Sequence, residues 1–154
     1  MDDWRTLKNK IYFEDGSLRD IYVFGTDIHD WRKWADLMNE KYKVEFYDAK
    51  TELTKDKIDF GTVEECWTQK DREWITATIK LGAVNIRCHF FIDSEIENDI
   101  DPRELKSLDD HSNVLKYLRD ISVTLDKDVF VTTENTEDDK LISVRKNEVI
   151  LNCA

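Results

Sequence analysis

One proline and four glycines in 154 residues leave little from which to build a flexible linker, a collagen-like repeat or a glycine-rich phosphate loop. Cysteine is scarce as well. Three thiols, an odd number, point to a reducing compartment and away from a disulfide framework. No stretch approaches the roughly 18 apolar residues of a membrane span, and Met1-Asp2-Asp3-Trp4-Arg5 has neither the charge nor the apolar run of a signal peptide. The expectation is a cytoplasmic protein that does not engage membranes. Clustered Lys and Arg are also missing, which disfavours direct nucleic-acid binding, because phosphates require such clusters.

What is present is a core's worth of large rings: 5 Trp, 5 Tyr and 7 Phe, in a chain that is 40% apolar and 37% charged. At 18.3 kDa the chain is the size of one domain, spanning residues 1–154. Its net charge of −11 is unevenly spread. Asp93, Glu95, Glu97, Asp99, Asp101, Glu104, Asp109 and Asp110 face only Arg103 and Lys106 between Asp93 and His111. Glu134, Glu137, Asp138 and Asp139 face only Lys140. Two acidic loops on a nearly balanced domain result. They serve either as a solvated surface that keeps the protein soluble or as a field that steers a basic partner.

Residues 10–25 read as a hairpin around Asp15-Gly16, with odd-numbered Ile11, Phe13, Ile21 and Val23 requiring a bulge near Gly16. Thr26 or Asp27 caps a helix to about Lys41, its stripe made by Ile28, Trp31, Ala35 and Met38 and widened by Trp34 and Leu37. Residues 42–46 alternate as a strand, and another is placed near Ile58-Asp59-Phe60. The strongest signal is a hairpin of 74–81 and 84–92 about Gly82-Ala83, a type II′ turn pairing positions that sum to 165. That register aligns Leu81/Val84, Ile79/Ile86, Ala77/Cys88 and Ile75/Phe90 on one face, and Lys80/Asn85, Thr78/Arg87, Thr76/His89 and Trp74/Phe91 on the other. Residues 63–68 add a third strand to the meander. A second helix runs from about Ser112 to Leu125 on Val114, Leu118, Ile121 and Leu125, with Leu115 and Ser122 alongside. Strands at 129–133, 141–145 and 149–151 end the chain. The expected fold is α+β: a mostly antiparallel sheet of about six to eight strands covered by two amphipathic helices.

Chemistry is hard to find. Histidines stand at 29, 89 and 111, but Cys88 and His89 are strand neighbours whose side chains point to opposite faces, so they form no dyad by themselves. Cys66 or Cys153 approaching His89 in space stays open, and Cys88 reads as a small core residue. No CxxC or HExxH spacing is present. Carboxylates at alternate positions from Asp93 to Asp101 resemble a calcium loop but lack the glycine that turns it. No catalytic residue, metal site or cofactor is therefore assigned. The aromatics remain. Trp74 and Phe91 are either covered by other elements or exposed as a binding hot spot, and Trp67 beside Glu64 and Glu65 is a second candidate.

The helix ending Leu118-Arg119-Asp120-Ile121-Ser122-Val123-Thr124-Leu125, the segment Lys127 to Asn135 and the acidic turn after it form a helix–strand–acidic-loop ending of about 30 residues. It resembles endings in small acidic immunity proteins of bacterial polymorphic-toxin and contact-dependent inhibition systems. The resemblance implies a non-enzymatic inhibitor that binds one cognate toxin domain, often a basic nuclease, and blocks its active site or an adjacent surface; the chain itself is expected to be a monomer or a weak homodimer. It carries over no functional residue. The partner surface expected from charge and aromatics comprises Asp93, Glu95, Glu97, Asp99, Asp101, Asp109, Asp110, Glu134, Glu137, Asp138, Asp139, Trp67, Trp74 and Phe91. The alternative is a small-molecule or regulatory sensing domain with a pocket between the sheet and Trp31 and Trp34.

Overall fold

The computed structural model describes residues 3–152. Its centre is one antiparallel sheet of nine strands: β1 (Arg19–Phe24), β2 (Lys43–Asp48), β3 (Leu53–Lys55), β4 (Ile75–Leu81), β5 (Val84–Cys88), β6 (Glu95–Ile100), β7 (Val129–Thr133), β8 (Lys140–Arg145) and β9 (Glu148–Leu151). They lie in the order β3-β2-β4-β5-β6-β1-β7-β8-β9. Four helices accompany them: α1 (Trp4–Lys10), α2 (Ile28–Lys41), α3 (Phe60–Thr68) and α4 (Leu108–Leu125). The α+β expectation holds, with more strands and twice the helices that the sequence suggested.

Strand β1 is the hub, paired with β6 on one side and β7 on the other. Two long helices make this possible. Helix α2 carries the chain from β1 out to β2, from which β4, β5 and β6 step back, and α4 then crosses β1 to deliver β7. Asp27 and Asp30 close a capping box on α2, and Trp31, Trp34, Ala35, Leu37 and Met38 are its buried face. Helix α4 begins earlier than its apolar stripe indicates, because Ser107 caps it by accepting from the Asp110 amide at 3.2 Å. Asp109 and Asp110 thereby occupy its first turn, where the helix dipole favours negative charge.

Burial alternates strictly along β4, β5 and β6. Val44, Phe46, Ile79, Ile86, Ile96, Val131 and Ile142 turn toward the helices and form the core. Helix α3 joins that layer through Trp67 against Trp31, and α1 through the chain it leads into, where Tyr12 meets His111 of α4. Among the described residues no helix lies over the opposite face of the sheet.

Three expectations are corrected. The hairpin at 10–25 does not form. Ile11 and Tyr12 are buried after α1, and the fully buried Arg19 guanidinium gathers the carbonyls of Ile11 at 2.7 Å, Phe13 at 2.6 Å and Leu18 at 3.0 Å, so this backbone bonds to a side chain in place of a partner strand. The strands placed at 58–60 and 63–68 are replaced by a short β3 earlier in the chain and by α3, which Asp59 caps through the Gly61 amide and whose Phe60, Val63 and Trp67 turn inward at helical spacing. Finally, the loop expected at 93–101 is largely a central strand, β6.

Candidate functional site

Strand β6 alternates without exception. Ile96, Asn98 and Ile100 enter the core, so Glu95, Glu97, Asp99 and Asp101 project from the face without helices, about 7 Å apart along the strand. Register adds a fifth carboxylate, since Asp20 of β1 stands opposite Asp99. The Tyr22 hydroxyl lies 3.2 Å from Asp20 Oδ2 and 3.4 Å from Glu97 Oε1, linking the two strands. Toward one end the charge is compensated. Arg103 grips Asp101 in a bidentate pair, Arg87 faces Asp99 in the ladder, and His89 Nε2 is 3.5 Å from Asp99. Glu95, Glu97 and Asp20 form no ion pair with a lysine or arginine among the described residues.

That lack shows in their protonation. Burial, then Asp20 and Glu95, push the Glu97 carboxyl up to about 6. Burial likewise raises Asp20, against the lowering effect of the Asn135 amide, and burial together with Glu137 raises Glu95. A group of carboxylates that resist ionisation lacks a cation.

The link between Glu95 and Glu137 reflects the fold of the β7–β8 connection. Its Glu134 accepts from the Leu18 amide at 2.8 Å, and the Asn135 amide donates to Asp20 Oδ2 at 2.8 Å. Residues 134–139 therefore bend back onto the helix-free face, held internally by Thr133 Oγ1 on Asp139 at 2.9 Å. The two acidic segments, more than 30 residues apart in sequence, meet in space. Asp93 and Asp138 are exposed beside them. Asp109 and Asp110 are not part of this group. They sit in the first turn of α4, where Asp110 accepts from the Lys106 amide.

At the far side of β5 the hairpin splays. Five expected pairs form, from Leu81↔Val84 to Ala77↔Cys88, but the ladder stops before Thr76/His89, Ile75/Phe90 and Trp74/Phe91. The reason is Phe90, whose backbone turns left-handed at φ 55°. Its ring enters the cluster of Trp31, Trp34 and Phe46, and its carbonyl accepts from Trp67 Nε1 at 2.8 Å. Trp67 is thus half-buried and engaged with core partners. Trp74 and Phe91 stay outside at 63% and 67% exposure, with Ile92 at 48%. Between them opens a cleft of about 450 Å³, lined also by Cys66, Thr76 and His89.

Cys66 and His89 do share that cleft, while Cys88 is buried on the other side of the sheet. Burial pushes both the Cys66 and Cys88 thiols up, which opposes the thiolate a nucleophile requires. Cys153 lies outside the described residues. Trp31 and Trp34 are fully buried and pack against Phe90. Among the described residues no group of three or more His, Cys, Asp or Glu is placed to hold a metal ion, and no helix is long and apolar enough to cross a membrane.

Asp20 and Tyr22 were not foreseeable as site residues, because nothing local in the chain places β1 beside β6. The one available signal was Asp20 immediately before the apolar run Ile21-Tyr22-Val23-Phe24, a charge that a central strand keeps only for a reason. In comparisons with known proteins, no family model, no curated protein and no solved structure matches this chain.

Proposed function

We propose that this chain is a non-enzymatic binding protein that docks a basic protein on the helix-free face of its sheet. The carrying observation is the convergence of Glu95, Glu97, Asp20 and Glu137 without a cation among them. Leaving carboxylates poorly solvated and unpaired costs free energy in the isolated protein, and a cationic partner would recover it. The acids supply encounter rate, because a localised field steers a partner of opposite sign. Within this reading the more specific role is that of a cytoplasmic bacterial immunity protein that covers the working surface of a cognate toxin domain.

The product of the neighbouring gene is the first partner to test. Stopped-flow mixing is expected to show association that slows steeply as NaCl rises from 20 to 500 mM, by about tenfold or more, because the Debye length shrinks across that range. A neighbouring product that is harmless to cells and does not bind would remove the toxin assignment. The broader docking reading would fail if no basic protein bound in a manner sensitive to charge on β6.

A further inference from the structure

We propose that the splayed end of the β4/β5 hairpin receives an arginine side chain of the basic partner, an inference that rests on the docking reading and adds an anchor to it. Acids at a rim steer encounter but hold a complex weakly, and affinity usually comes from a few aromatic contacts that become buried. Trp74 and Phe91 are exposed rings that flank the cleft of about 450 Å³ at this splayed end of the hairpin. Along β4 itself the outward positions are Thr76, at the cleft, and Thr78 and Lys80, the ordinary residues of a solvated sheet face.

Three features select a guanidinium. Tryptophan is the strongest aromatic acceptor for a cation, and arginine, planar and weakly hydrated, stacks on its face better than lysine does. The charge at the cleft is negative or spent. Glu73 lies exposed in the wall and Asp99 stands behind His89. Arg72, also in the wall, is bound to Asp48 at 2.9 and 2.8 Å and to Glu65 at 3.3 Å, so its charge is satisfied. The walls are also held in place before any partner arrives. Tyr47 backs Trp74 with centroids 5.2 Å apart, His89 backs Phe91 at 5.4 Å, and the turn at Phe90 is locked by its buried ring and by Trp67. Rigid walls spare the ordering cost of binding.

The test uses the intact protein, ¹⁵N-labelled, titrated with N-acetyl-arginine methylamide and separately with the lysine analogue. Arginine is expected to shift the Trp74 indole N–H and the amides of Thr76, His89 and Phe91 in a saturable way, at least about threefold more tightly than lysine. Trp74→Ala and Phe91→Ala, both at exposed positions, should each weaken that response, and Glu97→Gln should preserve it. No saturable shift, equal affinity for both amino acids, or a response unchanged in Trp74→Ala would overturn the proposal. Hexalysine titrated into the same sample separates the two readings. Hexalysine shifts along β6 and residues 134–139, together with a cleft silent to the arginine analogue, would leave the docking face standing and reject the anchor. Silence in both titrations would reject both.

Discussion

Glu97 retains its proton to about pH 6 because burial removes water from its carboxyl while Asp20 and Glu95 crowd it. Against an ordinary value of 4.5, the folded state binds more protons than the unfolded chain between roughly pH 4.5 and 6. Stability attributable to this group therefore falls as pH rises through that window and stays lower above it. Glu97→Gln is expected to stabilise the protein at pH 7 by on the order of 1 kcal/mol, a figure reduced for partial solvent screening, and to flatten the pH dependence between those values. Thermal unfolding at pH 4.5 and 7 checks this, and a variant less stable than the parent at pH 7 would show that Glu97 has a cation after all. Arg19 behaves differently, for its charge serves the fold. A lysine there cannot reach the carbonyls of Ile11, Phe13 and Leu18 together, so Arg19→Lys should cost about 2–3 kcal/mol in urea denaturation.

Elements became legible in the sequence where two independent signals agreed. Gly82 takes positive φ, as the first central position of a type II′ turn requires, and the alternation on either side demands the same register, so β4 and β5 pair in that register over the five positions next to the turn. Helix α2 was equally readable from its cap and stripe. Helix α3 was not, because Val63, Cys66 and Trp67 suit a strand by residue type, and only the Asp59 cap and the spacing from Phe60 to Trp67 argue for a helix. Strand β6 was hidden by its own composition: acids at every second position look like a solvated loop until Ile96, Asn98 and Ile100 are seen as its buried half. The connection at 134–139 is tied to the start of β1 by two contacts, Glu134 on the Leu18 amide and the Asn135 amide on the buried Asp20 carboxylate. Asp20→Ala should release it, speeding hydrogen exchange at Asn135 by at least about tenfold relative to the amides of β7, while unchanged protection there would mean that other contacts seat the loop.

At the scale of the molecule, the site exists because of strand order. Segments that are distant in sequence become neighbours only when α2 and α4 place β6 and β7 on either side of β1. Charge counting could find the two acidic segments, but their meeting depends on that crossover. The most direct measurement compares two charge-neutralising triple variants for association with the proposed basic partner, the product of the neighbouring gene being tested first: Asp93→Asn with Glu95→Gln and Glu97→Gln, and Glu137→Gln with Asp138→Asn and Asp139→Asn. Both are expected to slow association by about tenfold at 20 mM NaCl, to leave dissociation nearly unchanged, and to converge on the parent rate at 500 mM. Association at the parent rate in low salt, or slowing by one variant alone, would contradict a shared acidic docking face.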